Sequence, residues 1–425
     1  MHKIERLLHT LAPKGVEFKT LEEVFEIRNG YTPSKNNPEF WKNGTIPWFR
    51  MEDLRENGRI LKDSIQHITP KALKGKKLFP KNSIIISTTA TIGEHALLIV
   101  DSLANQQFTF LSKKANCDIA LDMKFFFYQC FLLGEWCKNN TNVSGFASVD
   151  MTAFKKYKFP IPPLEIQQEI VKILDAFTEL NAELNAELNA RKKQYKYYQN
   201  MLLDFNDINQ SRKDAKEKLA QKPYPKRLKA LLQTLAPKGV GFRKLGEVCE
   251  IIRGKRVTKK EILDKGKYPV VSGGIGFMGY LNEYNREENT ITIAQYGTAG
   301  FVNWQNQKFW ANDVCFSVIP KETLINRYLY YVLTNMQNYL YSISNRSAIP
   351  YSISSNNIMQ ITIPIPPLEI QQEIVTILDQ FLALTTDLQA GIPAEIKARK
   401  KQYEYYREKL LTFKPLTPNK EVKKG

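Results

Sequence analysis

The sequence predicts an α+β fold with a pseudo-twofold internal repeat, in which two mixed α/β domains are joined by two long helices packed as an antiparallel coiled coil. Three observations lead there. The chain repeats itself in three separate blocks, two of those blocks carry helical periodicity, and the segments between them mix short strand patterns with aromatic-rich helical ones.

The repeats fix the architecture. Residues 8–27, LHTLAPKGVEFKTLEEVFEI, match 232–251 at 14 of 20 positions. Residues 160–175, PIPPLEIQQEIVKILD, match 364–379 at 15 of 16, and 190–203, ARKKQYKYYQNMLL, match 398–411 at 10 of 14. The segments enclosed, 28–159 and 252–363, share no comparable identity. A constant frame with two divergent inserts describes two modules doing one kind of job on different targets. The boundaries that follow are a first mixed domain over 1–158, a long helix over 159–205, a basic linker over 206–229, a second mixed domain over 230–362, a second long helix over 363–414 and a tail over 415–425.

Within the frame, Pro162 and Pro163 stop the preceding strand and start a helix, with Glu165 and Glu169 suited to its N-terminal end. Ile166, Ile170, Ile173, Phe177, Leu180, Leu184 and Leu188 then recur at spacings of three and four, and Tyr195, Tyr198 and Leu202 extend the pattern. About 40 residues of helix span roughly 60 Å. The second copy offers Ile370, Ile374, Ile377, Phe381, Leu384 and Leu388, then Tyr403, Tyr406 and Leu410, with a break at Gly391 and Pro393. A single helix of that length with one apolar stripe is unstable alone, so the copies are expected to pack on each other. The linker carries Arg212, Lys213, Lys216, Lys218, Lys222, Lys226, Arg227 and Lys229, a pattern equally suited to contacting DNA and to a solvated connector.

In the inserts, IIIST (84–88), QFTFL (107–111), YPVVS (268–272) and TITIA (290–294) read as short strands, while 123–138 and 327–343 read as helices whose aromatics belong to cores.

Composition narrows the partners. Hydrophobic residues make up 43% of the chain, enough for packed cores, and the net charge of +18 calls for a polyanion, nucleic acid before an anionic membrane. No apolar run reaches bilayer-spanning length, and the start MHKIERLLHTLAPKG has neither a signal-peptide core nor a cleavage site. Cys117, Cys130, Cys137, Cys249 and Cys315 form no CxxC pair, and no histidine approaches a cysteine at metal-ligand spacing. The expectation is a reducing cytoplasm, no structural metal and no disulfide.

At this point the chain resembles the specificity (S) subunits of type I restriction–modification enzymes. The repeated IPPLEIQQEIV–ILD block leading into ARKKQY–YY–LL is the most specific mark. GYTPSKNNPEFWKNGTIPWFRMEDL (30–54), SIIISTTATIG (83–93) and ANQQFTFL (104–111) resemble blocks of the family's target-recognition domains. YPVVSGGIGFMGYL (268–281), ITIAQYGTAGFV (291–302) and FWANDV (309–314) resemble another common recognition-domain type. The resemblance implies a non-catalytic subunit whose domains each read one half of a split double-stranded DNA target. It implies two modification subunits, which bind S-adenosylmethionine and methylate adenine while gripping the helices. It also implies two restriction subunits that use ATP with magnesium. The two helical repeats differ in length by four residues, so the symmetry is approximate.

Motifs for chemistry are decoys here. Gly274-Ile275-Gly276-Phe277-Met278-Gly279 fits GxGxxG, yet the residues after it read as a hairpin or loop instead of a long helix. No GxxxxGK[ST] loop exists, both Pro-Pro pairs precede a leucine where an adenine methylase would show an aromatic, and the nuclease-like Glu395-Ile396-Lys397 sits in a helical repeat. No catalytic residue and no cofactor is therefore assigned to this chain. DNA readout remains, with Lys and Arg on phosphates and two-atom hydrogen-bonding groups on bases. The candidates are Thr32, Ser34, Lys35, Arg50, Thr88, Thr91, Asn105 and Gln106 in the first domain, and Arg253, Lys255, Arg256, Ser272, Gln295, Tyr296, Thr298 and Arg346 in the second. Two other readings stand beside this one: a single-chain DNA methylase or nuclease, opposed by the missing motifs, and a stand-alone or silent recognition-domain cassette.

One low-complexity run lies in the first long helix. Glu179 to Ala190 is ELNA repeated three times. Each unit adds about 6 Å of helix and roughly 40° beyond a full turn, close to the 34–36° by which one base pair rotates B-DNA. Similar repeats adjust the target spacer in the family that the chain resembles.

Overall fold

The computed structural model describes residues 2–142, 147–205, 222–347, 349–386 and 391–416. The chain divides into two compact units, Met1–Glu183 with Lys397–Gly425, and Leu184–Ile396.

In the first unit α1 (His2–Leu11) leads to β1 (Glu17–Thr20) and the one-turn α2 (Leu21–Val24), capped reciprocally by Thr20 and Glu23. The insert follows with β2 (Phe25–Asn29), β3 (Ile46–Phe49), α3 (Met51–Asn57), β4 (Ile60–Leu61) and β5 (His67–Ile68). It continues through β6 (Ile84–Ser87), β7 (His95–Leu98), β8 (Leu103–Ala104), β9 (Phe108–Lys113) and α4 (Met123–Asn139). After β10 (Thr141–Asn142), β11 (Ser148–Val149) and α5 (Met151–Lys155), β12 (Lys158–Ile161) closes it and α6 (Leu164–Leu203) leaves. β12 pairs antiparallel with β1, Glu17 opposite Ile161, so both ends of the insert emerge from one two-stranded clasp.

The second unit repeats this. α7 (Lys226–Leu235), β13 (Gly241–Lys244) and α8 (Leu245–Val248) lead to β14 (Cys249–Arg253), β15 (Tyr268–Val271) and β16 (Tyr280–Leu281). Then come β17 (Thr290–Ala294), β18 (Val302–Gln305), β19 (Trp310–Ala311), β20 (Cys315–Pro320), α9 (Asn326–Asn335) and α10 (Gln337–Ser342). α11 (Ser355–Met359) and β21 (Thr362–Ile365) close the insert, with β13 opposite β21. α12 (Leu368–Thr386) and α13 (Ile392–Leu411) end the described chain's helices.

The two inserts share one topology that their sequences conceal. The first has sheets ordered β2-β9-β6-β7-β4 and β5-β3-β8; the second has β14-β20-β17-β18 and β16-β15-β19. In both smaller sheets the central strand runs parallel to one neighbour and antiparallel to the other. Among the described residues the first insert adds β4 at the edge of its larger sheet and the short β10–β11 pair. The apolar runs predicted as strands are buried on both faces, Ile84, Ile85, Ile86, Ile291 and Ile293 among them, and Phe125, Phe126, Tyr328 and Tyr331 lie in cores as their composition suggested.

α6 is 40 residues long, and its counterpart is described as two helices, α12 ending at Thr386 and α13 starting at Ile392, with Pro393 in the first turn of the second. Ile166, Ile170, Ile370 and Ile374 are fully buried, while Ile173, Phe177, Leu180, Leu184, Leu188, Ile377 and Phe381 are half-buried. Leu384 is exposed, because it lies seven residues after the half-buried Ile377, at the edge of the face that Leu378 and Thr385 bury. Leu388 lies outside the described residues. Each unit contains a helix pair drawn from both framework copies. In the first, Phe177 of α6 stacks on Tyr406 of α13 at 5.6 Å; in the second, Tyr198 of α6 stacks on Phe381 of α12 at 4.9 Å. Of the basic linker, residues 206–221 lie outside the described residues, and Arg227, on α7, pairs with Glu373 at 3.1 Å. Its counterpart in the first unit is the pair Lys3–Glu169 at 2.6 Å.

One side chain ties each framework helix to its insert. Gln167 is fully buried and makes three hydrogen bonds. Its Nε2 donates to the carbonyls of Pro162 (2.7 Å) and Ala120 (2.9 Å), and its Oε1 accepts from the Asp122 amide (2.8 Å) at the start of α4. Gln371 does the same with Pro366 O (2.8 Å), Thr323 O (2.9 Å) and the Ile325 amide (2.8 Å) at the start of α9. Gln167→Leu strands one buried donor and two acceptors, and is expected to destabilise the first unit by about 2–4 kcal/mol. Urea unfolding followed by tyrosine and tryptophan fluorescence measures this, and a shift below 1 kcal/mol contradicts it.

Candidate nucleic-acid interface

In the first insert the candidate side chains sit on loops held together by backbone bonds. The Gly30 amide donates to Phe108 O (2.8 Å), the Tyr31 amide to Ala104 O (2.7 Å) and the Asn105 amide to Phe49 O (3.0 Å). These bonds bring Thr32, Arg50, Asn105 and Gln106 to one place, where the Thr32 hydroxyl donates to Gln106 Oε1. Ser34 and Lys35 are exposed on the neighbouring loop, which Trp41 anchors by donating from Nε1 to Ser34 O at 2.9 Å. Lys35, Asn36, Trp41, Lys42, Arg50 and Gln66 line one open groove with three cations on its wall. Arg50 lies over the Trp48 ring at 5.8 Å, and its Nε is 3.8 Å from Glu52, too far for a hydrogen bond. The guanidinium thus keeps donors for an incoming acceptor.

Two candidates are less open than the sequence suggested. Thr88 is buried, its hydroxyl 2.9 Å from that of Thr109, which donates in turn to Asn29 Oδ1 at 3.1 Å. Strand alternation turns it into the sheet. Thr91 is half-buried and accepts from Gln107 Nε2 at 3.4 Å.

The second insert gathers its candidates in the same way. The Gly254 amide donates to Cys315 O (3.0 Å) and the Lys255 amide to Ala311 O (2.8 Å), while Arg253 Nε donates to Asp313 O (2.7 Å). Lys255 and Arg256 project into solvent beside Lys259 and Lys260. The Thr298 amide (3.0 Å) and hydroxyl (2.7 Å) both donate to Gly273 O, joining the 295–298 loop to Ser272. Tyr296 bridges to Ser352, and the exposed Arg346 guanidinium lies 5.9 Å from the ring centres of both Tyr341 and Tyr351. Gln295 Oε1 is buried with no hydrogen-bond partner.

The loops of the two inserts correspond position by position. The Gly93 amide donates to Ser87 O and the Gly300 amide to Ala294 O, both at 2.9 Å, with φ of 89° and 88°. The Val149 amide donates to Thr88 O and the Ile353 amide to Gln295 O, again both at 2.9 Å. TTATIG (88–93) and QYGTAG (295–300) are thus one loop in two spellings, with glycine retained at the closing left-handed position, while the earlier left-handed position holds Ala90 (φ 58°) in one and Gly297 (φ 76°) in the other. The sequence reading missed Asn312, the partner of Asn105, whose Oδ1 accepts from the Val257 and Asp313 amides at 3.2 and 2.8 Å. The shared Ala-Asn at 104–105 and 311–312 was its signal. It also missed Arg286, which holds Arg253 O at 3.1 Å.

The decoys take ordinary places. Residues 274–279 form the loop between β15 and β16, with Ile275 67% exposed, and Ile396 is buried in α13. Burial pushes the Cys137, Cys249 and Cys315 thiols up to about 12, which keeps them protonated. Among the described residues no group of three or more His, Cys, Asp and Glu side chains is placed to hold a metal, and no helix is long and apolar enough to cross a membrane.

A family model described as "Type I restriction modification DNA specificity domain" matches residues 13–191 and 237–398. The chain is similar to the type I restriction enzyme EcoprrI specificity subunit of Escherichia coli, 42% identical over 392 residues that cover 88% of this chain and 89% of that one. A putative type I specificity subunit of Mycoplasma pneumoniae is 32% identical over 258 residues, 59% of this chain and 94% of the relative. In fold, the S subunit of a type I restriction–modification system from M. genitalium superposes with a TM-score of 0.55 at 18% identity, over 93% of this chain and 96% of that one. A chain from a structure concerned with complex assembly and conformational transition of the type I R-M system gives 0.57 at 17%, covering 93% and 97%.

A Cβ on Gly30 would stand 2.1 Å from Asn105 O, and one on Gly254 would stand 2.1 Å from Asn312 O. Gly30→Ala and Gly254→Ala therefore force the loop cluster open, each at an expected cost of about 2–3 kcal/mol in its own unit. Hydrogen exchange should show lost protection at the Tyr31 and Asn105 amides in the first variant and at the Lys255 and Asn312 amides in the second. Unchanged protection at those amides contradicts this account.

Proposed function

The chain belongs to the family of type I restriction–modification DNA specificity domains, and from that premise we propose that it is the non-catalytic specificity subunit of such a complex, in which each insert reads one half of a bipartite double-stranded DNA target. The observation that carries this reading is the pair of inserts, one backbone frame bearing two different sets of loop side chains. Lys35, Lys42 and Arg50 in one and Lys255, Arg256 and Arg346 in the other suit phosphates, while Asn105, Gln106, Gln295 and Thr298 suit base edges. The remaining candidates, Thr32, Ser34, Thr91, Arg253, Ser272 and Tyr296, line the same loops, and Thr88 enters only as a support. The framework helices dock two modification subunits, which supply S-adenosylmethionine and adenine methylation, and two restriction subunits that use ATP and magnesium join them in the cytoplasm.

Mapping methylated adenines with this chain and its modification partner tests the proposal. Replacing 28–159 by the corresponding segment of a relative is expected to change one half of the methylated motif and leave the other intact. The chain without its partner is expected to transfer no labelled methyl group. A swap that alters both halves together, or methyl transfer by the isolated chain, overturns the reading.

The ELNA run lies wholly within α6 and crosses the residue pair at which the chain divides between its units. Leu180, Leu184 and Leu188 are half-buried along it. Deleting 183–186 removes about 6 Å of rise and roughly 40° of rotation. The mapped motif is expected to keep both half-sites with a spacer one or two base pairs shorter, and an unchanged spacer would reduce ELNA to a simple helix former.

A further inference from the structure

Beyond the buried glutamines, each framework helix carries an aspartate eight residues further on that receives two side chains from its insert. Asp175 accepts from Lys124 Nζ and from Tyr128 Oη, both at 2.6 Å. Asp379 accepts from Arg327 Nε at 2.9 Å and from the Tyr331 hydroxyl. The donors lie four apart on α4 and on α9, hence on one helical face. Counted from the amides that the glutamines hold, Lys124 corresponds to Arg327 and Tyr128 to Tyr331. Across 123–129 and 326–332 that tyrosine is the one identity, and the cation is retained in class although its neighbours change.

An apolar contact between helices is non-directional and tolerates repacking. A carboxylate taking two charged or hydroxyl donors is directional and fixes both rotation and register. The pinned helices in turn abut the reading loops. A Cβ on Gly93 would stand 2.5 Å from Gly134 O in α4, and in the second insert Gln337 Nε2 at the start of α10 donates to Gly300 O at 2.7 Å. A continuous path therefore runs from Asp175 through α4 to the 88–93 loop, and from Asp379 through α9 and α10 to the 295–300 loop. Each path lies within one unit.

We infer that Asp175 and Asp379 are positioning residues for DNA reading: each holds its insert's helix at one register on the framework, and so sets where that insert's loops meet their half of the target. This rests on the proposed function. The lock is part of the socket, not of the reader, so any insert presenting a cation and a tyrosine four residues later fits it.

The test uses the complex of the full chain with its modification subunit. Methylation is measured on duplexes carrying the mapped target, or the same target with one base changed in the first or the second half. Asp175→Ala is expected to lower discrimination against first-half changes by about tenfold, the scale of one charge-assisted bond, and to leave second-half discrimination unchanged. Asp379→Ala is expected to do the reverse. Tyr128→Phe and Tyr331→Phe, which remove a single hydroxyl and decide the matter where an alanine variant fails to fold, should act in the same direction. Lys124→Arg, which copies the second unit's cation, should retain discrimination. Lowered unfolding midpoints with both discriminations intact, or equal loss at both halves, would overturn the inference. An unsubstituted complex that discriminates at neither half would instead remove the functional reading on which it rests.

Discussion

Everything in each unit hangs on a buried amide at the foot of a framework helix. Gln167 and Gln371 each bond at once to the turn before the helix, to the loop that leads into the insert's main helix and to the amide at the start of that helix. A primary amide is the group for this, since it supplies two donors and an acceptor without charge, and a charged group there would face a desolvation cost of several kcal/mol. Beside it, the clasps β1–β12 and β13–β21 bring both ends of each insert together. Each long insert is thereby closed as a loop whose two ends are held side by side by the clasp.

That division of labour explains what varies. The insert interior is free to change as long as its apolar strands fill the sheets, because cores accept compensating exchanges at modest cost. Ile85 and Ile86 in β6 answer to Thr292 and Ile293 in β17, and the threonine is accommodated because its hydroxyl finds Gln305 at 3.0 Å. The loops are held instead by backbone bonds, which impose no side-chain identity except glycine where space or φ demands it. Thr88 and Gln295 consequently occupy the same bonded position with wholly different side chains. A surface built this way diverges in chemistry while its geometry stays constant.

The sequence made the frame legible because duplication is read directly: matched blocks, the 3.6-residue stripe and the Gly391–Pro393 break translate into α6, α12 and α13 without tertiary knowledge. Buried apolar strands such as 84–87 and 290–294 were visible for the same local reason. The common fold of the inserts was not, since it resides in backbone bonds between residues such as Gly30 and Phe108 that leave no identity behind. The second glutamine of each QQ pair is exposed and the first fully buried, a difference that composition cannot express. Thr88 looked like a loop donor because it follows a strand, and only its hydroxyl contact with Thr109 on the neighbouring strand shows which way the side chain turns. Leu384 fell on an extrapolated stripe whose register had drifted.

The placement of charge completes the picture. The excess of +18 is a property of the whole chain, yet the cations at the framework sockets are neutralised: Lys124 by Asp175, Arg327 by Asp379, Arg227 by Glu373 and Lys3 by Glu169. Those beside the reading loops, Lys35, Lys42, Lys255 and Arg256, stand in solvent. Exposed ion pairs contribute little to stability, so the socket pairs matter as directional constraints more than as a source of cohesion. Unneutralised cations on the loops, by contrast, attract a polyanion through counterion release, a force that grows as salt falls and is indifferent to base sequence. In the proposed reading, attraction and orientation thus come from separate sets of residues, and base selectivity is left to uncharged groups such as Asn105, Gln106 and Gln295.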